Sequence, residues 1–284
     1  MRFTKLQGCG NDYLFVDLTN GRTLRDPEEC ARRISDRRFG VGSDGLILLV
    51  DAPAGSGADL GMVMYNADGS RAQMCGNGFR GLCKYAYERG LVPKAEIRVH
   101  TDGGIRTGRL HLEGDKVARV TVDMGLPSLN RGDLPMEGPQ GMAVDCRVKA
   151  AGRELVGTAV SLGNPHFVVF VEGEVDDFPV EEVGPAVETH HLFPQRVNAE
   201  FVQVLGPGEV RQRTWERGSG ETLACGTGAA AVCVAGVVTE RLKSPVTVHL
   251  RGGDLLLEWA GKGKPVFKTG PTVEVFEGDY PWPE

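Results

Sequence analysis

Met74-Cys75-Gly76-Asn77-Gly78 returns 150 positions later as Ala224-Cys225-Gly226-Thr227-Gly228. Each copy precedes a run with apolar residues at helical spacing, so each predicts a helix that opens on Cys-Gly-x-Gly. Outward from these anchors the likeness continues in order. A second cysteine follows eight positions on in both copies, Cys83 and Cys233. Ahead of them, Tyr65-Asn66-Ala67-Asp68-Gly69-Ser70 matches Trp215-Glu216-Arg217-Gly218-Ser219, one residue shorter. Gly10-Asn11 matches Gly163-Asn164, each before an apolar run, and His100-x-x-Gly103-Gly104 matches His249-x-x-Gly252-Gly253. The spacing between copies drifts only from 153 to 149 residues. One such match is chance; an ordered series is a duplication, at a period far beyond the roughly 20 to 50 residues of solenoid repeats.

Each half reads as strands, a Gly-rich turn, one central helix and more strands. Phe79 to Arg89 predicts the first helix, closed by Gly90, and about Thr227 to Leu242 the second. Alternating runs such as Ile97-Arg98-Val99, Val120-Thr121-Val122 and Val246-Thr247-Val248 predict strands. The expected class is α+β, with two similar domains. One spans 1–118 with a C-terminal return over about 266–284, and carries Cys75; the other spans 119–265 and carries Cys225. The stretch Gly125 to Gly141, rich in Gly and Pro, predicts a loop between the halves.

With 284 residues the chain can bury a core of ordinary size, and 41% hydrophobic with 25% charged residues is the balance of a globular protein. A net charge of −6, without basic clusters, speaks against nucleic acid as a partner. No apolar stretch reaches about 18 residues, the longest being Ala229 to Val238, and Met1-Arg2-Phe3-Thr4-Lys5 lacks a signal-peptide pattern. A cytoplasmic protein without a membrane partner is expected. Seven cysteines at irregular spacing, with no Cys-x-x-Cys, predict neither a disulfide framework nor a zinc site.

The chemistry follows from where the paired thiols stand. A helix start presents unpaired N–H groups and the positive end of the macrodipole, which hold a carboxylate and favour a thiolate. Gly76 and Gly226 let the backbone approach a ligand closely. Two such turns facing one substrate would cradle its carboxylate and set a sulfur on either face of the adjacent carbon. One thiolate would remove the α-hydrogen and the opposite thiol would return a proton, with preoriented amides stabilising the developing charge. Neither metal nor cofactor is required. A lone cysteine is more often inert core, and Cys9, Cys30, Cys83, Cys146 and Cys233 read that way.

Asn11, Asn66, Asn164 and Asn198 stand in turn-like contexts, where Asn is common for its own reasons. The repeat-equivalence of Asn11 and Asn164 raises both, and Asn77 follows the first Cys-Gly. Glu216-Arg217 replaces Asn66-Ala67 of the other copy, an acid and a base suited to an amino-acid head group. His166 is either a core histidine or an auxiliary group that orients or deprotonates a cysteine.

Gly8-x-Gly10-Asn11-Asp12, Tyr65-Asn66-Ala67-Asp68-Gly69-Ser70, Met74-Cys75-Gly76-Asn77-Gly78, Gly163-Asn164-Pro165-His166, Glu216-Arg217-Gly218-x-Gly220-Glu221-Thr222 and Ala224-Cys225-Gly226-Thr227-Gly228 together resemble the diaminopimelate epimerases. The resemblance covers nearly the whole chain. It implies two pseudo-symmetric domains, each a curled, mostly antiparallel sheet around a central helix, and a homodimer. It implies LL- and meso-2,6-diaminopimelate as substrates, with Cys75 and Cys225 as the acid/base pair. Asn11, Asn66, Asn164, Asn198, Glu216 and Arg217 would read the substrate, and Gly76-Asn77 and Gly226-Thr227 would supply amides. Some family members carry Gln where this chain has Gly45, so that contact would be missing here. A proline or hydroxyproline racemase-type isomerase on the same fold is the alternative, and would not need Glu216 and Arg217. A redox protein using a Cys75–Cys225 disulfide and a non-catalytic binding module are the remaining classes. The first predicts activity that reductant abolishes; the second leaves matched thiols without purpose.

Overall fold

The computed structural model describes residues 1–283. They fall into two compact units, Met1–Val122 with the segment from Gly270 onward, and Asp123–Thr269. Unit 1 begins with β1 (Arg2–Gly8), β2 (Asn11–Asp17), α1 (Pro27–Ser35), β3 (Gly45–Val50), β4 (Leu60–Asn66), β5 (Arg71–Ala72), α2 (Gly76–Glu88), β6 (Glu96–Thr101), β7 (Gly104–Glu113) and β8 (Lys116–Asp123). Its first hairpin closes through Cys9 and Gly10, both at positive φ (55° and 82°), the primed turn that suits strand twist and aims Asn11 off the strand start. The chain crosses through α1 to lay β3 parallel to β2, and through α2 to lay β6 parallel to β4; the other pairings are antiparallel.

Unit 2 repeats this plan. It holds β9 (Cys146–Ala150), β10 (Arg153–Ser161), β11 (Pro165–Phe170), α3 (Val180–Glu188), β12 (Asn198–Gly206), β13 (Glu209–Glu216), β14 (Gly220–Thr222), α4 (Gly226–Val238), β15 (Val246–Leu250), β16 (Gly253–Trp259) and β17 (Val266–Pro271). Here α3 joins parallel β11 and β12, and α4 joins parallel β13 and β15. The final strand, β18 (Val273–Asp279), pairs antiparallel with β1, taking in unit 1 the place that β9 takes beside β10 in unit 2.

The central helices are built for their surroundings. From Gly228 to Gly236 every residue of α4 is buried and small, as a helix enclosed by sheet requires. It packs on β10, β11, β12 and β16, while α2 packs on β1, β2, β3 and β7. The second helix stops four residues before the expected Leu242. Glu240 takes the left-handed conformation (φ 58°), and the amides of Arg241 and Leu242 return to the Gly236 carbonyl.

One central helix per half was expected, yet each unit carries a second, shorter one. In α1, Pro27 at the first turn and Cys30, Ala31 and Ile34 on one buried face make a nine-residue amphipathic segment. In α3, Val180, Val183 and Val187 bury the inner face, against the local signal of Gly184-Pro185. Among the described residues, no helix is long and apolar enough to cross a membrane.

Candidate active site

In unit 1, Cys75 is the extended N-cap residue of α2, and its Sγ donates to Asn11 Oδ1 at 3.3 Å. Asn11 is held from behind: its Nδ2 donates to Asp44 Oδ2 at 2.6 Å, and that oxygen also accepts the Asp12 amide at 3.0 Å. Arg37 bridges Asp12 and Asp44, and Lys5 pairs with Asp12 at 2.8 Å. The Tyr13 phenol is buried beside Cys75 and Asn11. Burial, then the neighbouring Cys75 charge, push its pKa up.

Asn77 and Asn66 are committed locally. Asn77 turns its side chain inward, where its Oδ1 accepts from buried Arg80 at 2.8 Å, leaving only its backbone toward the helix mouth. Asn66 ends β4 and donates from Nδ2 to Ser70 Oγ at 3.0 Å. At Gly45 no side chain has room: a Cβ would strike the Tyr65 carbonyl and lie 3.0 Å from Tyr13 Cε1.

In unit 2, Cys225 is the N-cap residue of α4, and its sulfur accepts from the Gly228 amide at 3.3 Å. Thr227 Oγ1 lies 3.5 Å from that sulfur and accepts from Asn164 Nδ2 at 3.3 Å. Asn164 Oδ1 is 3.1 Å from His166 Nε2, and His166 Nδ1 is 2.8 Å from Glu200 Oε1. Glu200 Oε2 accepts from Gln212 at 2.7 Å and Thr214 at 2.6 Å. Glu216, on the last residue of β13, accepts from Thr222 Oγ1 at 2.6 Å and faces Cys225.

Two further predicted residues frame this cluster. Buried Asn198 donates to the Pro165 carbonyl at 2.9 Å and accepts the Arg217 amide at 2.9 Å, tying the Asn164-Pro165 turn to the turn after β13. Arg217 is exposed, with one guanidinium N–H on the Gln195 carbonyl at 3.0 Å. Unit 1 thus brings Asn11 to Cys75, and unit 2 brings Asn164, His166, Glu216 and Thr227 to Cys225.

The expectation that a helix start favours the thiolate fails at Cys225. Burial pushes its thiol well above the usual cysteine value, and the Glu200 and Glu216 carboxylates push the same way, against the Thr227 hydroxyl and Gly228 amide. Burial also raises the Glu216 carboxyl. His166, Glu200 and Cys225 offer N, O and S atoms within 4.8 Å of one another, the one such cluster among the described residues. Three protein partners, Gln212, Thr214 and His166, already occupy the Glu200 oxygens, so the cluster reads as a closed hydrogen-bond network.

Sequence reasoning passed over Tyr13, Asp44, Arg37, Glu200, Gln212 and Thr214. The duplication held a signal for some. Tyr13 and His166 share a repeat position, and Glu200 stands among Ala199, Phe201 and Val202 where the other copy has Ile47.

The fold recurs in solved structures of distant sequence. A phenazine biosynthesis protein of the PhzF family from Bacillus anthracis matches at TM-score 0.71 and 16% identity, over 98% of both chains. A probable proline racemase from Agrobacterium radiobacter matches at 0.67 and 15%, over 99% of this chain and 92% of that one. The architecture is therefore that of the PhzF proteins and proline racemases. Sequence narrows the class further. The family model described as diaminopimelate epimerase matches residues 3–130 and 158–275. Diaminopimelate epimerases of Moorella thermoacetica and Pelotomaculum thermopropionicum are 50% and 48% identical, each alignment covering 99% of both chains. That of Methanococcus maripaludis is 43% identical over 98% of this chain and 99% of its own. The chain belongs to the diaminopimelate epimerase family, and is an isomerase of the epimerase class.

Proposed function

We propose that this enzyme interconverts LL- and meso-2,6-diaminopimelate by proton transfer at the α-carbon, with Cys75 and Cys225 as the acid/base pair and no metal or organic cofactor. The observation that carries the reading is the matched pair of thiols, each the N-cap of the central helix of its unit and each approached by a repeat-equivalent asparagine chain. The first-turn amides at Gly76-Asn77 and Gly226-Thr227 bind the carboxylate at the reacting carbon and stabilise charge that moves into it. One sulfur takes the α-hydrogen while the other protonates the opposite face. Glu216 faces Cys225 and receives its proton or holds it in place. Arg217, exposed on the turn after β13, meets the distal carboxylate of the substrate. A cytoplasmic homodimer belongs to the same proposal, and sedimentation of the purified enzyme tests the dimer.

Proton NMR of LL-diaminopimelate with reduced enzyme in D₂O, without added cofactor, tests the reaction. Loss of the α-hydrogen signal with appearance of the meso isomer supports it. Exchange with proline or hydroxyproline instead would move the chain to the alternative substrates. Cys75→Ala and Cys225→Ala should each lower epimerisation by at least about 10²-fold, the scale of a lost general acid or base. Retention of full activity in either variant refutes the two-thiol mechanism.

A further inference from the structure

The two units place different chemistry beneath the same helix start. Tyr13 of β2 pairs with Gly45 of β3, and His166 of β11 with Asn198 of β12, in the same parallel register. Two residues on, β3 carries Ile47 and β12 carries Glu200. A side chain at Gly78 would strike Ile47, and one at Gly228 would strike the Glu200 carboxylate. These glycines are equivalent in the two Cys-Gly-x-Gly turns, so Ile47 and Glu200 press on the same point of α2 and α4. By the same alignment, Met62 and Met64 of β4 correspond to Gln212 and Thr214 of β13. Unit 1 buries Tyr13, Ile47, Met62 and Met64 where unit 2 buries His166, Glu200, Gln212 and Thr214. Packing alone is met by the apolar set. A buried carboxylate is costly unless fully hydrogen-bonded, so its presence beside one thiol calls for another reason.

The hydrogen bonds supply that reason. Gln212 Nε2 donates to Thr214 Oγ1 at 2.9 Å, which turns the Thr214 hydroxyl proton toward Glu200. With Gln212 and Thr214 on Oε2, Oε1 is left for His166 Nδ1. An ionised Glu200 would only accept, and that would put a proton on Nδ1. The proton on Nε2 is then the ring's one variable, and the orientation of Asn164 follows it. When Nε2 carries hydrogen, Asn164 accepts through Oδ1 and donates Nδ2–H to Thr227, whose own hydroxyl proton points to the Cys225 sulfur. When Nε2 is bare, the amide reverses, Thr227 donates to it, and Thr227 accepts from Cys225 S–H. The first direction suits a thiolate and the second a thiol. No proton crosses the amide; the chain transmits direction.

We infer that Glu200 is a positioning residue for Cys225: by fixing a proton on His166 Nδ1, it couples the charge of His166, through Asn164 and Thr227, to the protonation of the Cys225 sulfur. Its part in turnover rests on the proposed epimerase reading. The ionisable groups that face His166 are Glu200 from β12, Glu216 from the end of β13 and Cys225 from the start of α4; Lys268 of β17 stands against Gly226 in the first turn. Unit 1 has Tyr13 and Ile47 in these places, and its carboxylate, Asp44, accepts from Asn11 directly, with no histidine between them.

Glu200→Gln tests this with almost no change of shape. The new amide oxygen still accepts from Gln212 and Thr214, so its NH₂ must donate to His166 Nδ1 and drive the ring proton to Nε2. In ¹⁵N-labelled enzyme the His166 ring signals should move from a protonated Nδ1 to the neutral Nε2–H tautomer. With the urea midpoint close to wild type, kcat should fall at least about tenfold while KM stays within about twofold, because the tautomer is wrong and the binding groups remain. A bare Nδ1 in the wild-type ring overturns the inference, whether or not the variant folds. So does a Glu200→Gln enzyme with unchanged tautomer and kcat, or one that loses only stability. Should wild-type enzyme fail to exchange the α-hydrogen of diaminopimelate, the proposed function falls while the ring signature still decides the role of Glu200.

Discussion

Cys225 occupies a position that ordinarily eases thiol ionisation, yet its surroundings act the other way. Burial dominates, and two carboxylates add to it, so the folded protein holds this proton beyond the usual cysteine range. In the unfolded chain the same thiol ionises near pH 8.5. Stability from the retained proton is therefore complete below about pH 8.5 and is lost as pH rises toward the higher folded value. The unfolding free energy of wild type, from urea titration, should fall relative to that of Cys225→Ala above about pH 8.5, by up to about 1.4 kcal/mol per pH unit. Buried Cys30, Cys83 and Cys233 share the direction but are present in both proteins, so the difference isolates Cys225. A gap that stays constant or opens the other way contradicts this account. Residues that recur at matched positions, such as Asn11, Asn164 and the two cysteines, are legible in the sequence alone. Glu200 is legible only as an odd carboxylate at the place of Ile47; its partners show only when β11 and β13 close around it.

Helix α3 shows where local sequence rules yield to packing. Gly184-Pro185 argues for a break, yet Gly184 lies against the Trp215 ring with no room for a Cβ, and three valines bury the inner face. The helix ends on Glu188, whose carboxylate accepts from Trp215 Nε1 at 2.8 Å, the Gly218 amide at 3.0 Å and Arg196 at 3.3 Å. Burial raises this carboxyl, but the three donors outweigh it and hold the group below its ordinary value. Glu188 thus pins both ends of the Glu216-Arg217 turn. Glu188→Ala leaves the indole and amide without their partner, which should cost about 1–3 kcal/mol in urea unfolding. Because the loosened turn carries Arg217, KM should rise more than kcat falls. A variant that is less stable but keeps its KM would leave Glu188 a purely structural clamp. The helices flanked by repeated motifs, α2 and α4, are readable from the chain; α1 and α3 are short, unlike one another in sequence, and gain no support from the duplication.

At the scale of the whole molecule, one strand order is used twice with two different interiors. The eight strands β1–β8 of unit 1 are joined by β18, as β10–β17 of unit 2 are joined by β9. Beneath the helix starts, Tyr13-Ile47-Met62-Met64 and His166-Glu200-Gln212-Thr214 answer the same steric demand. Replacing a buried polar cluster by well-packed apolar residues is often neutral or stabilising by about 1–4 kcal/mol, because the desolvation of its charges is removed. Unit 2 rebuilt with the unit 1 set, by His166→Tyr, Glu200→Ile, Gln212→Met and Thr214→Met together, should therefore fold with a urea midpoint at or above wild type. Its epimerisation of diaminopimelate should nonetheless fall by at least about 10²-fold, since the chain that directs the Thr227 hydroxyl is gone. An inactive but stable protein would separate what the buried carboxylate does for chemistry from what it does for the fold. An unfolded product would show that unit 2 has come to depend on its polar interior, and that the duplicated halves no longer share one set of packing rules.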